Sequence, residues 1–390
     1  KKRDAYINSL VNGCTGVKRT TGQHPGGIMV IPRNMDVHHF TPIQRPADDT
    51  TTNTITTHFD YHSISSRLVK LDILGHDDPT VIKMLENITH RDPRTIPFDD
   101  PATMSIFSST EALGVTPEEL GATSGTFGIP EFRTPFTRQM LDDTKPKKFS
   151  DLVRISGFSH GTNVWLENAQ DLITSGTCTV SDAISCRDDI MMHLIHSGID
   201  PLFSFKTMEK VRKGKGLSED DIKVMKDGGI PQWYIDSCLK IKYLFPRAHA
   251  TAYVMMAYRI AFCKVHYPLA FYAAYFSIRA AEFDKGFQVV LELAWEMYLR
   301  GFSVEKVDLY KSNADKFILH EKSLLPPFTA LTGISTMAAN NIVQARLEGE
   351  FTSIDDLKKR ASLSTPIVER LREHGCLDGL QESDQISLFS

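Results

Sequence analysis

The sequence predicts an α+β chain that is mainly helical, with short strands near its two ends. Three observations carry this. Residues 69–73, V-K-L-D-I, alternate apolar and polar, and so do F-S-V-E-K-V-D-L-Y and K-F-I-L-H within 301–325, which is the two-residue period of strands. Residues 93–290 read as mostly helical, with Gly-, Pro- and Ser-rich joins between segments. Residues 331–346, L-T-G-I-S-T-M-A-A-N-N-I-V-Q-A-R, place a glycine turn before a helix of small residues.

Composition narrows the function classes. A length of 390 residues accommodates two or three domains. The formal net charge of −4 excludes a global basic field, so any nucleic-acid contact must use local patches. The six cysteines show no C-x-x-C pairing and read as reduced cytosolic thiols, not a disulfide or zinc framework. No signal peptide is evident, and the opening K-K-R-D-A-Y without Met suggests a fragment. The apolar stretch Ala250 to Ile278 is interrupted by Arg259, Lys264, His266 and Pro268, which predicts a buried helix pair and no membrane span.

In chain order, G-V-K-R-T-T-G-Q-H-P-G-G-I-M-V-I-P (16–32) reads as a loop entering a buried strand. Lys18 and Arg19 beside Gly22, Gly26 and Gly27 would make either a phosphate cradle or a plain turn. The polar stretch Gln44 to Thr57 reads as an exposed connection. In the strand at 69–73, Val69, Leu71 and Ile73 are expected to bury against a core, leaving Lys70 and Asp72 on the other face, about 7 Å apart at ~3.3 Å per residue. That pair is either a metal and phosphate site or a solvated edge. Asp78 and Pro79 suit an N-cap and first helical position, with Val81, Leu85 and Ile88 following at helical spacing. Pro79, Pro93, Pro97 and Pro101 mark a boundary near residue 92.

Three later stretches carry chemistry-bearing residues. In S-G-F-S-H-G-T (156–162), glycines among hydroxyl groups permit either close approach to a ligand or a hydrogen-bonded loop. K-T-M-E-K-V-R-K-G-K-G (206–216) puts cations at a helix end that Gly214 and Gly216 would terminate; the helix dipole alone favours them there, and so would a triphosphate. In F-P-R-A-H-A-T-A-Y (245–253) and beyond, His249, Tyr253, Met256 and Ile260 share one helix face, a core stripe or a ligand wall.

V-K-L-D-I-L-G-H-D-D-P-T-V-I-K-M-L (69–85) resembles the palm segment of the C-family bacterial replicative DNA polymerases, and its H-D-D-P the PolC branch of low-GC Gram-positive bacteria. The resemblance implies a division into the C-terminal part of a palm (1–92), helical fingers (93–290), a duplex-binding region with a strand pair and tandem helix-hairpin-helix motifs (291–380), and a clamp-binding tail (381–390). It makes Asp72 the third of three metal-binding aspartates and brings Lys70 to the nucleotide phosphates. T-G-Q-H-P-G-G would lie near primer and nucleotide, with Arg19 and His24 as possible site residues. Arg154, Ser156, Ser159, His160 and Gly161 would line a base-and-sugar pocket. Lys210, Arg212, Lys213 and Lys215 would grip phosphates, with Arg187 as a companion. Phe245, Arg247, His249 and Tyr253 would stack on the base and contact phosphate. Gly333, Ser335 and Thr336 would present a helix N-terminus to a DNA phosphate, Ser335 standing where a second glycine is usual. Gln385, Leu388 and Phe389 match the sliding-clamp pentapeptide.

The activity so implied is template-directed addition of dNTPs to a primer 3′-OH with two Mg²⁺ ions. The other two aspartates are expected before residue 1, so this chain alone should show no turnover. The implied partners are primer–template DNA, dNTP, the β sliding clamp and other replisome subunits, in the bacterial cytoplasm at the nucleoid. A non-catalytic DNA-binding and clamp-tethering module is the rival, distinguished by needing no nucleotide pocket. A phosphohydrolase would need a His/Asp cluster that the sequence lacks. PolC relatives are expected to carry a longer segment where A-A-E-F-D-K (280–285) runs directly into G-F-Q.

Overall fold

The computed structural model describes residues 3–17, 21–24, 26–73, 75–279 and 288–383. The chain divides into two compact units, residues 1–76 and 77–390.

The first unit is a set of short ribbons. Strand β1 (Gly27–Val30) pairs antiparallel with β4 (Val69–Asp72), Gly27 opposite Asp72 and Val30 opposite Val69. Between them, β2 (Ile43–Gln44) pairs with β3 (Thr56–Thr57), so the expected exposed connection contains a small hairpin. The strand at 69–72 forms as the alternation predicts, but its burial is reversed. Val69, Leu71 and Ile73 are 64, 50 and 61% exposed, and Ile28 and Val30 on the same face of β1 are exposed too, so β1 is not the buried strand expected. The described turns and the β2–β3 hairpin gather on the Lys70 face instead, which leaves the apolar face of the ribbon without cover among the described residues.

The second unit is helical to about residue 299. A helix opens at Asp77 (Asp77–Thr89), which places Asp78 and Pro79 inside its first turn, not at the cap and first position; Val81 and Leu85 are buried. The long helix Arg247–His266 is followed at once by Pro268–Ile278, proline taking the first position of the new helix because it needs no N–H partner there. No described helix is long and apolar enough to cross a membrane. Lys264 is fully buried and donates to the carbonyls of Gly125 and Phe127 at 2.7 Å each and to Glu296 at 2.8 Å. Tyr272 donates to the other Glu296 oxygen at 2.6 Å. Burial lowers the Lys264 ammonium to about 8.

Beyond residue 300 the expected strand pair is a three-stranded sheet. β6 (Ile318–His320) and β7 (Ser323–Leu325) form an antiparallel hairpin, and β5 (Ser303–Val304) adds parallel to β7. Helices Thr336–Ala345, Ile354–Arg360 and Thr365–Glu373 then pack around a separate core that includes Phe328, Ile342, Leu357 and Leu371.

Candidate functional site

Within the helical unit, the segment Lys242–Arg247 gathers the expected residues. The chain after helix Phe149–His160 bridges to it, Lys242 N–H donating to the Thr162 carbonyl at 3.0 Å and Thr162 N–H to that of Tyr243 at 3.0 Å. The basic turn after helix Pro201–Arg212 abuts it as well: Leu244 N–H donates to Arg212, and a Cβ on Gly214 would stand 2.5 Å from the Lys242 carbonyl oxygen, so only glycine fits. Helix Arg187–His196 meets it through Arg187 N–H on the Phe245 carbonyl (3.0 Å) and Asp188 accepting from Arg247 N–H (2.7 Å).

On this scaffold four rings form a row. His160 lies 5.2 Å from Phe245, Phe245 4.6 Å from His249, and His249 4.4 Å from Tyr253 in stacked geometry. The His249–Tyr253 contact lies within helix Arg247–His266 and follows its four-residue spacing, while Phe245 stands just before that helix's Pro246 cap. Burial, then the charge of His160, pushes His249 below the ordinary histidine value.

The expected site residues separate into those that face outward and those spent on the scaffold. His160 is exposed and Ser159 partly so, whereas Ser156 is 1% exposed and donates to Glu131 at 3.1 Å. Ser156 therefore supports the pocket and does not line it. Gly157 packs on Ser185 and Cys186, and Gly161 on Val164 and Tyr243, so these glycines serve helix packing. Arg154 is turned inward, donating to the Ala183 carbonyl at 3.0 Å and reaching Asp189 at 3.5 Å; burial lowers its pKa. Arg247 also pairs with Asp189, whose other oxygen accepts from Ser185 and Cys186 N–H.

The basic turn is partly neutralised by its own neighbours. Lys210 bonds both oxygens of the buried Asp221 at 2.9 and 2.7 Å. Arg212 and Lys213 share Glu209, whose carboxyl the Arg212 hydrogen bonds hold down at about 2. Lys215 is exposed, and Arg187 is half-buried at the start of its helix. Glu209 was legible, being three and four residues from its partners. Asp189 was legible as a carboxylate three residues into a helix. Glu131 was not: its partners lie 25 and 29 residues away, and no local spacing announces it.

In the first unit, Lys70 and Asp72 share a face as expected, but they are ion-paired at 2.8 Å, not held apart. Lys70 lies 5.1 Å from the Tyr61 ring centre. A Cβ on Gly27, in the opposite strand, would stand 2.9 Å from both Lys70 Cε and His24 Nδ1, so this glycine makes room for the lysine. His24 Nδ1 accepts from Gly26 N–H at 3.2 Å. Lys70, His24 and Gly27, but not Asp72, line a cleft of about 540 Å³ with Tyr61, Asp60 and the β2–β3 hairpin. Arg19 lies outside the described residues.

Beyond residue 300 Gly333 takes a left-handed φ of +86° and Ser335 caps helix Thr336–Ala345, accepting from Ala338 N–H at 3.2 Å. Gln385, Leu388 and Phe389 lie outside the described residues.

Three family models match: the bacterial DNA polymerase III alpha NTPase domain over residues 1–75, the finger domain of the bacterial DNA polymerase III alpha subunit over 78–228, and a helix-hairpin-helix motif over 301–386. Together they define the class as a segment of a bacterial DNA polymerase III alpha subunit. The chain is 56% identical to the PolC-type DNA polymerase III of Halalkalibacterium halodurans and to that of Bacillus subtilis, and 54% to that of Oceanobacillus iheyensis, over 99% of its own length. It belongs to the PolC-type DNA polymerase III family. It spans 29% of the length of each of these relatives. The alignments run over 416 positions, more than the 390 residues of the chain, so these relatives carry residues without a counterpart here. The expected place for them, 285/286, lies outside the described residues.

Proposed function

We propose that the chain supplies the nucleotide-binding and duplex-binding parts of a replicative DNA polymerase that joins dNTPs to a primer 3′-OH. The observation that carries this reading is the meeting, on Lys242–Arg247, of an aromatic and histidine row with a turn rich in lysine and arginine. Rings stack on any base at about 1–3 kcal/mol each, and the cations meet a spread phosphate charge. Arg247 and the 210–215 turn are held ready by carboxylates that a triphosphate would displace or share. Arg154 and Ser156 act by holding this frame, and Arg187 faces the same segment.

Polymerases of this family use divalent metal ions in general, and we assign Mg²⁺ as the ion. Asp72 offers one half-exposed carboxylate already paired to Lys70, and no group of three His, Cys, Asp or Glu side chains able to hold a metal exists among the described residues. These residues do not by themselves fit a two-metal centre, and Asp72 would contribute one ligand. Lys70 and His24 would serve the phosphates from the 540 Å³ cleft, and Arg19, outside the described residues, would join them in that role.

The Gly333–Thr336 turn would hold duplex DNA without sequence preference, so affinity for unrelated duplexes should fall together as salt rises. Gln385, Leu388 and Phe389 would tether the β clamp, with the other replisome subunits assembled at the nucleoid in the cytoplasm.

Steady-state kinetics in the full-length context test the nucleotide site. Phe245→Ala should raise KM for dNTP about tenfold, the loss of roughly 1.4 kcal/mol of binding, with the Trp fluorescence of the helical unit intact. An unchanged KM rejects the pocket.

A further inference from the structure

Glu131 lies in the stretch F-G-I-P-E-F-R-T-P-F-T-R-Q-M-L (127–141), where neither spacing nor resemblance gives it a role, yet it contacts His160 of the ring row. Its Oε2 accepts from Ser156 Oγ at 3.1 Å and lies 3.3 Å from His160 Nε2, and its side chain is 11% exposed. The opposite nitrogen, His160 Nδ1, faces the Ser156 carbonyl at 2.7 Å, so Nδ1 carries a proton and donates it there. The other contact, Nε2 to the Glu131 carboxylate, is within ion-pair distance when the ring is protonated. The ring is thus clamped at both ends, 5.2 Å from Phe245.

The backbone at Glu131 adopts a conformation that costs a glutamate some energy. Its φ is +68°, the left-handed region that glycine or asparagine occupies more readily. The turn is pinned on either side by Ile129 and Phe132, both fully buried, and by Thr126 Oγ1 donating to the Phe132 carbonyl at 2.9 Å. Lys264 holds the entry to the same turn through the Gly125 and Phe127 carbonyls. The carboxylate is therefore delivered to helix Phe149–His160 by a rigid support.

We propose that Glu131 is a positioning residue for nucleotide binding, its carboxylate fixing His160 against Phe245 so that the ring row offers one preformed surface to the base. This rests on the row being the nucleotide platform. Glu131 does not touch the nucleotide; it acts through His160.

The test uses Glu131→Gln, Glu131→Asp, His160→Asn and Phe245→Ala in the full-length context, reading KM for dNTP and kcat separately together with thermal melting. Glu131→Asp is the informative variant, because aspartate tolerates the left-handed backbone better than glutamate but falls one methylene short of His160. The expected result is a KM raised about fivefold for Glu131→Asp and Glu131→Gln, kcat within about twofold, and no fall in melting temperature for Glu131→Asp. Adding Glu131→Gln to His160→Asn should cost nothing further, since the two act as one unit. Additive losses overturn the proposal, as does an unchanged KM in both Glu131 variants while Phe245→Ala raises it; the platform then stands without Glu131. An unchanged KM in Phe245→Ala removes the platform itself, and the proposal with it.

Discussion

The ribbon unit and the helical unit hold their charged side chains in opposite ways. Asp72 and Lys70 stand on a two-stranded ribbon whose apolar face, Ile28, Val30, Val69 and Leu71, is exposed. Isolated two-stranded ribbons are marginal in water, so little in this unit resists a shift of that pair. The rings and cations around Lys242–Arg247 stand instead on a continuous core running from Val81 to Leu324, with buried Asp189 fixing Arg154 and Arg247 and buried Asp221 fixing Lys210. Nucleotide binding should therefore be measurable on this chain, whereas the ribbon pair depends on contacts that the described residues do not provide.

The largest expected effect lies in the helical unit. Lys264→Met removes the ammonium shared by buried Glu296 and the Gly125 and Phe127 carbonyls, leaving Glu296 with Tyr272 and Arg300, and should cost about 3–5 kcal/mol. Urea denaturation followed by Trp fluorescence reports this unit selectively, since Trp165, Trp233 and Trp295 all lie in it. An uncooperative or unaltered transition would remove the contrast. Next, Gly27→Ala pushes aside the Lys70 and His24 side chains and should cost about 1 kcal/mol in the ribbon alone. Faster hydrogen exchange confined to 27–30 and 69–72, with the Trp transition unmoved, is the expected signature.

Acid gives a smaller effect. The Arg212 hydrogen bonds lower Glu209 from 4.5 to about 2, so its stabilising contribution is complete above pH 4.5 and is lost as pH falls towards 2. Glu209→Gln should flatten that part of the acid-unfolding curve, by less than about 1 kcal/mol given solvent screening. Smallest of all, Leu71→Ser should change the stability of this chain by no more than about 0.5 kcal/mol. A loss above ~2 kcal/mol would show that the ribbon's apolar face is covered, and the comparison would fail.

Particular residues show how far the sequence could be read. Alternation located β4 and paired Lys70 with Asp72 on one face, but periodicity reports only that two faces differ, not which one meets other chain; Val69 and Leu71 came out exposed for that reason. Helical spacing joined His249 and Tyr253, because contacts within four residues are local, whereas Phe245, ahead of the helix, entered through resemblance. His160 entered the row through resemblance and through the bridge of Thr162 to Tyr243, which no spacing encodes. Glu131 and the Lys264–Glu296 pair escaped notice because their partners are distant in sequence and their function is to hold other groups in place.

Calorimetric titration of a dNTP into this chain tests the central claim most directly. The wild-type sequence should bind, and Phe245→Ala should bind about tenfold more weakly with its Trp unfolding transition unchanged. Equal affinities for the two, or no binding by either, would contradict a nucleotide platform built on Lys242–Arg247.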